Sequence, residues 1–594
     1  MDTRQTSRRE SSDARAWARM ALAAPGLLPA APGSPSRRVR HWARRLPDGL
    51  AIAFEDRRIG WRELDEAVDR YARWLRNEGV GAQHVVALVM DNRPEFLTIF
   101  TALSRVGAVA ALINTQLRGD ALGHALGVSR AKLVIAGSEQ AADVLAAASR
   151  LPDVVPDKQL VLQCDAASDR PPAWRILDDE VATGDSGAPV VDHPGRMSDL
   201  CCYVYTSGTT GLPKAAVIRN QRMLGGGYTF GHLMHRATPR DLIYVALPLY
   251  HSSALFLGWG SALATGAAIG LRRRFSVSGF WSDIADFRAT SFLYIGEMCR
   301  YLMSAPPHPL ERAHGLRVAV GNGMRPDLWE PFQRRFDVPI VREFYGATEG
   351  NAPLLNVRGK PGMIGRMQRG QAIVRCELET GEPVLDPAGR AKPVKVGETG
   401  LLLGRITRTL RFDGYVDEAA TRSKVRADLF APGDRWFDTG DLVTLHSGGW
   451  LSFADRVGDT FRWKGENVST LEVATVIGRA PGVSDASVYG VRIPGCEGRA
   501  CMCALVTDGE ADLDALAGYF EQSLPAYQRP LFVRLLEAPM RTTSTFKQQT
   551  ASYRNEGYDP ARVADPLYVS VGGSFEAYDA AKHAALKRGE WVPS

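Results

Sequence analysis

Apolar and polar positions alternate along this chain in two textures, and the change from one to the other divides it. The segment IAFEDRRIGWREL, from Ile52 to Leu64, predicts a hairpin running into a helix. Leu64, Ala67, Val68, Tyr71, Trp74 and Leu75 keep helical spacing, with Gly79 as the stop. HVVALVMDN follows as a nearly continuous apolar strand, PEFLTIFTALSRVG as a helix, and VAALIN and AKLVIAG continue the alternation. Apolar strands separated by amphipathic helices imply parallel sheets covered on both faces. LIYVALP, SFLYIG and LRVAVGNG carry the same pattern further along the chain.

Near Gly397 the texture changes. GETGLLLGRI, GWLSFADRV and DTFRWKGENV alternate apolar with polar residues and predict antiparallel hairpins. After Asp455–Arg456 come helix STLEVATVIGRA, strands DASVYGV and ACMCALV, helix DLDALAGYFEQSL and strand LFVRLLE, a compact α+β region. The expected fold class is α/β. Residues 41–456 form a large N-terminal domain of parallel-rich sheets flanked by helices plus a β-barrel-like subdomain, and residues 457–594 a small C-terminal α+β domain. Residues 1–40, rich in Arg, Ser, Ala and Pro, are expected to be a poorly ordered leader.

Composition narrows the function classes. A chain of 594 residues is too long for one core. Its net charge of +6 suits small polyanionic ligands such as nucleotides and argues against a dedicated nucleic-acid binder, which needs concentrated basic stripes. The eight cysteines form no CxxC pair, so buried free thiols in a reducing compartment are expected, with Cys501 and Cys503 on one face of a strand. The run MALAAPGLL behind Arg8–Arg9 faintly resembles an export signal, but it is short and broken by Pro25. Ala246 to Leu271 contains no Asp, Glu, Lys or Arg and is long enough to span a bilayer. Pro248, His251 and several glycines interrupt it, and ATGAAIGL at its end reads as a buried strand, so a core segment is the favoured reading.

The candidate chemistry centres on YTSGTTGLPK, Tyr205 to Lys214. Glycines let such a loop turn backbone N–H groups inward as a nest for phosphate oxygens, Thr206, Ser207, Thr209 and Thr210 add hydroxyl donors, and Lys214 adds charge. Leu212 and Pro213 separate Gly211 from Lys214, so this is not a Walker A loop. Behind it stand, in order, GNGM (Gly321–Met324), YGATEGN (Tyr345–Asn351), WFDTGDLV (Trp436–Val443) and DRVGDTFRWKGENVS (Asp455–Ser469). Together these motifs resemble the ordered core motifs of the adenylate-forming superfamily, over most of the chain from about Asp48. LPLYHSS, LPAYQRPLFVR, TSTFK and the closing DPLYV further resemble the fatty acid transport protein and very-long-chain acyl-CoA synthetase branch. Ser544 departs from that branch, which has glycine there, and this puts the placement of Lys547 in question.

The resemblance implies a carboxylate attacking the α-phosphorus of ATP, with pyrophosphate leaving, and a thiol then displacing AMP. It implies that Thr206, Ser207, Gly208, Thr209, Thr210 and Gly211 hold the β- and γ-phosphates, beside Tyr205 and Lys214. Thr348 and Glu349 join the catalytic set, Glu349 as a ligand of Mg²⁺, since a carboxylate suits a hard cation. Tyr345 and Gly346 would flank adenine, with Gly321, Asn322 and Gly323 at its polar edge, and Asp441 and Arg456 would hold the ribose. Lys547 would bridge carboxylate and α-phosphate, Lys464 would serve the other half-reaction, and Gly458 would be the hinge that makes the small domain mobile. His251 would border the acyl or thiol channel, or equally be a satisfied core histidine. The uncharged Ala246–Leu271 stretch would supply apolar walls for an acyl tunnel.

The expected activity is therefore an AMP-forming long-chain fatty acid–CoA ligase using ATP, Mg²⁺ and coenzyme A. Two alternatives stay open: a ligase for a steroid or other bulky carboxylate, or for a carrier-protein thiol, and a membrane-associated uptake protein with secondary ligase activity. The expected partners are small-molecule substrates and no nucleic acid, in the cytoplasm, with peripheral association at the inner face of the membrane left open.

Overall fold

The computed structural model describes residues 14–149, 160–164, 174–183, 190–207, 212–378, 380–464, 466–496, 498–543, 548–591 and 593. The chain divides into two compact units, Met1–Gly362 with Arg411–Lys424, and Met363–Leu410 with Val425–Ser594.

The first unit contains two parallel-rich sheets. One runs, edge to edge, Arg175–Ile176, Leu160–Gln163, Leu133–Gly137, Val85–Val89, Val109–Leu112, Leu200–Ser207 and Pro213–Arg219, and its final pair alone is antiparallel. The apolar run VVALV is its centre, buried from Val86 onward, as expected of a strand covered on both faces. Helix Pro94–Val106 starts with proline and ends at Gly107, whose φ of 79° gives a left-handed cap. A side chain at Gly107 would also strike the His193 ring.

The other sheet runs Leu354–Asn356, Val341–Tyr345, Val318–Asn322, Ser291–Ile295, Leu242–Val245, Ala268–Leu271, Leu50–Phe54 and Arg57–Gly60. Its six central strands are parallel and each edge is closed by an antiparallel strand. The uncharged Ala246–Leu271 stretch lies in this core as turns, an irregular helix from Ser253 to Thr265, and strand Ala268–Leu271. Among the described residues no helix is long and apolar enough to cross a membrane. The stretch instead crosses helix Asn220–Thr229 so closely that a Cβ on Gly227 would meet the backbone of Gly260.

Two sequence expectations need correction. The leader was expected to be poorly ordered through Arg40, yet residues 14–23 are helical and helix Pro35–Arg45 begins at the Ser34 cap. Backbone bonds from Gly33, Met197 and Ser198 pin residues 29–33 to the first unit, and Val39 and Trp42 are core residues. The antiparallel segment assigned to the large domain belongs to the second unit, where strands Gly365–Arg366, Gln371–Val374, Thr399–Arg405, Val425–Ala427, Arg435–His446 and Trp450–Arg456 form one sheet. Only residues 411–424 return to the first unit, because Tyr415 and its neighbours pair with strand Pro213–Arg219.

The rest of the second unit is the expected α+β region. Val483–Val491, Ala500–Thr507, Phe532–Leu535, Leu567–Val571 and Ser574–Ala577 form its mixed sheet. Cys501 and Cys503 are buried on it, and both are free thiols.

In the first unit a fully buried cation holds three helices' surroundings together. Arg105 pairs with Asp65, with Asp69 at 2.7 Å and with Asp192 at 3.2 Å, and Arg40 shares the same three carboxylates. Removing one partner of such a cluster leaves buried charge uncompensated. Arg105→Met is expected to lower unfolding stability by about 3–5 kcal/mol, read as a shift in the denaturant midpoint.

Candidate active site

Parallel sheets carry their ligands beyond the carboxyl ends of the strands, where the chain leaves the hydrogen-bond ladder. In the second sheet of the first unit, those ends hold several of the residues singled out above. Val318–Asn322 ends in Gly321 and Asn322, and Val341–Tyr345 beside it ends in Tyr345 and continues through Gly346 to Thr348 and Glu349. Leu242–Val245 leads into the turn that carries His251 and Ser252.

The glycines here are demanded by packing. A Cβ on Gly321 would collide with the backbone oxygen of Tyr294, and one on Gly296 with that of Gly323. Gly323 itself has φ of 80°. Beneath this turn lies Glu343, fully buried, whose Oε1 accepts hydrogen bonds from the Met324 N–H at 2.6 Å and the Tyr294 hydroxyl at 3.1 Å. Burial pushes its carboxyl from the usual 4.5 up to about 8, with the accepted hydrogen bonds opposing that rise.

The acidic turn is held from two sides. Arg222 donates from Nε to the Thr348 carbonyl at 2.6 Å and from Nη2 to the Ala347 carbonyl at 2.7 Å. Burial lowers the Arg222 pKa, while the charges of Glu349 and Asp413 oppose that change. Opposite, the Tyr415 hydroxyl donates to Glu349 Oε1 at 2.7 Å. Burial first, and then the Glu349 charge, raise the phenol's pKa, so it stays protonated and a donor. Thr206 also reaches this hydroxyl, and the Ser252 and Thr348 hydroxyls lie 2.9 Å apart. The structure thus joins Thr206, the Thr348–Glu349 turn and the His251–Ser252 turn in one neighbourhood.

The strands that flank the expected phosphate loop pair antiparallel, with Thr206 opposite Lys214 and Ser207 opposite Pro213. Gly208, Thr209, Thr210, Gly211 and the Ser207 side chain lie outside the described residues. Tyr205 corrects the expectation: strand alternation turns it away from Thr206 into the core, where its hydroxyl donates to the Ala125 carbonyl at 2.8 Å.

In the second unit Asp441 and Arg456 are direct partners across one antiparallel pair, 3.6 Å apart. Gly440, at φ of 72°, bulges the strand there, and Thr439 fixes the turn by accepting the Asp441 N–H and donating to the Leu402 carbonyl. Gly458 follows with φ of 85°, a conformation glycine adopts freely. Lys464 is exposed on a hairpin turn at φ of 51°, over the Trp463 ring. Ser544 and Lys547 lie outside the described residues. Sequence reasoning missed Arg222, Glu343 and Tyr415. The one sequence signal was the pair Gly414–Tyr415, a glycine next to an aromatic, and the structure gives Gly414 a φ of 74°.

A family described as AMP-binding enzyme matches residues 39–406. The chain belongs to the AMP-binding enzyme family. Among curated relatives of this family member, long-chain fatty acid transport protein 1 of Mus musculus is 39% identical over 568 residues, spanning 92% of this chain and 86% of that protein. Medium/long-chain-fatty-acid–CoA ligase FadD6 of Mycobacterium tuberculosis is 39% identical over 532 residues, 89% of this chain and 87% of the ligase. Among solved structures, ATP-bound MatB from Rhodopseudomonas palustris superposes with a TM-score of 0.73 at 22% identity, covering 88% of this chain and 98% of MatB. The anthranilate CoA ligase AuaEII with anthranoyl-AMP gives 0.73 at 20% identity, covering 88% and 97%. At these identities the likeness is one of fold.

The Glu343 carboxyl makes a prediction about pH. Its folded pKa lies above its unfolded one, so the native state holds a proton that the unfolded chain gives up. Its contribution to stability is complete below the unfolded value of 4.5, is lost as pH rises toward about 8, and is flat beyond. The stability difference between wild type and Glu343→Gln is expected to shrink across that window, measured by melting both proteins at each pH.

Proposed function

We propose that this protein is an ATP-dependent ligase that joins a long-chain fatty acid to coenzyme A through an acyl-adenylate. The observation that carries the proposal is the joining of the strands flanking the Thr206–Lys214 loop to the Glu349 turn through Tyr415, because it brings together hydroxyl donors and a lysine suited to phosphate and a carboxylate suited to a cation that phosphate carries. The names of the relatives FadD6 and long-chain fatty acid transport protein 1 support a long-chain acyl substrate.

In this reading Thr206, Lys214 and the intervening loop hold the β- and γ-phosphates of ATP. Tyr345, Gly346 and the Gly321–Gly323 turn receive adenine, and Asp441 with Arg456 receives the ribose. The fatty acid carboxylate forms a bond to the α-phosphorus and pyrophosphate leaves. The coenzyme A thiol then attacks the acyl carbon and AMP leaves. Positioning and neutralisation of oxygens that gain charge supply the rate, with Lys547 serving the first step and Lys464 the second. Among the described residues no group of three or more His, Cys, Asp or Glu could hold a metal by itself. A single carboxylate, Glu349, fits Mg²⁺ that arrives on nucleotide phosphates and keeps water ligands. Bound there, Mg²⁺ would neutralise charge on the phosphates. His251 and Ser252, beside Thr348, border the acyl or thiol channel.

The relatives' transport names favour a second reading, uptake at a membrane with ligation secondary. Fractionation separates the two: a protein that needs detergent and turns over weakly fits uptake, and an active enzyme released without detergent fits the ligase.

A panel of carboxylic acids assayed for pyrophosphate release tests the proposal, with long-chain fatty acids expected to give the highest rates. No release with any acid contradicts it. Lys547→Ala is expected to abolish that release yet leave thioester formation from supplied acyl-adenylate largely intact. Tyr415→Phe removes one hydrogen bond to a carboxylate, a loss of about 1.5–3 kcal/mol, and is expected to lower kcat/KM for ATP by about tenfold or more.

A further inference from the structure

In the second unit a cavity of about 410 Å³ is lined by Arg492, Arg499, Arg554, Asn555, Tyr558 and glycines that include Gly458. Of its three guanidinium groups, Arg554 is committed: it donates to Asp459 at 2.7 Å and to the Gly458 carbonyl at 3.2 Å. Arg492 and Arg499 have no carboxylate partner among the described residues, and the Tyr558 hydroxyl holds the Arg492 backbone by donating to its carbonyl at 2.7 Å. No carboxylate is among the residues lining the cavity, and Asp459, next to Gly458 in the chain, is paired with Arg554. Two like charges on the lining of one hollow repel each other, and an anion between them relieves that repulsion. Their forked donors match phosphate oxygens, and the small glycine walls leave room for a group of that size.

We propose that this cavity is a phosphate-binding site, and that the phosphate comes from coenzyme A, whose 3′-phosphate monoester is a dianion. In naming coenzyme A the proposal rests on the ligase reading. The phosphate chemistry itself does not. The site also bears on Gly458, since Arg554 grips that residue's carbonyl from the wall of the same cavity. An anion drawn between Arg492 and Arg499 competes for the Arg554 guanidinium and so couples ligand binding to the backbone at the expected hinge.

The test is calorimetric binding to the full chain, wild type and Arg492→Ala/Arg499→Ala, with melting temperature as the check on folding. The probes are coenzyme A, dephospho-coenzyme A and vesicles of phosphatidylcholine with or without phosphatidate. Losing two charge-assisted contacts is expected to weaken coenzyme A binding by about tenfold or more, while dephospho-coenzyme A binds both proteins alike. Arg492→Lys/Arg499→Lys is expected to recover part of the loss. If the Ala pair instead loses only phosphatidate vesicles, the phosphate site stands and its source is a lipid headgroup. If a folded Ala pair binds every probe as the wild type does, the proposal is overturned. A protein that shows the coenzyme A difference yet releases no pyrophosphate keeps this site and loses the ligase reading.

Discussion

One hydrogen bond, from the Tyr415 phenol to Glu349, links the parts of the candidate site that come from separate sheets of the first unit. Tyr415 is stitched by backbone bonds to the strand behind the phosphate hairpin, and Glu349 extends from the end of a strand in the other sheet. A neutral donor facing a carboxylate sets its direction without adding a counter-charge. Arg222 acts from the other side on carbonyls only, so it fixes the turn's backbone and leaves the carboxylate to Tyr415. The turn is over-determined, as a preorganised site must be.

Below it, the sheet supplies a floor that side chains would spoil. Gly321 sits against the backbone of the neighbouring strand and Gly296 against that of the Gly323 turn, and the Glu343 carboxyl, its pKa raised by burial, ties that turn to the floor through Met324 and Tyr294. A buried ionised group there would demand a counter-charge, whereas a neutral acid held by hydrogen bonds does not. Local rigidity at the strand ends therefore comes from the buried layer, and the residues that would meet ligand are left open above it.

Much of this was legible in the sequence, for a physical reason. Apolar runs fixed the parallel strands, and glycine-rich turns at their ends marked where the chain leaves the ladder, so Gly321, Tyr345 and Glu349 were found together. Tyr205 was misread because a motif does not say which face of a strand each residue takes; period two sends Tyr205 inward when Thr206 faces outward. Glu343 reads as one polar residue in the strand VREFY, and only the fold reveals it as buried. Arg222 and Tyr415 act over more than sixty residues of sequence, beyond any local pattern. The return of residues 411–424 to the first unit was invisible for the same reason, and it moved the domain division.

The second unit contributes its own elements: the Asp441–Arg456 pair on one sheet, a left-handed Gly458 after it, and an arginine-lined hollow that touches Gly458. The central claim is chemical, that a carboxylate oxygen becomes bonded to the innermost phosphorus of ATP. It is tested most directly by supplying a long-chain acid labelled with ¹⁸O in both carboxyl oxygens and weighing the AMP released on thioester formation. AMP carrying one ¹⁸O is the result expected; unlabelled AMP formed alongside acyl-CoA would contradict the account.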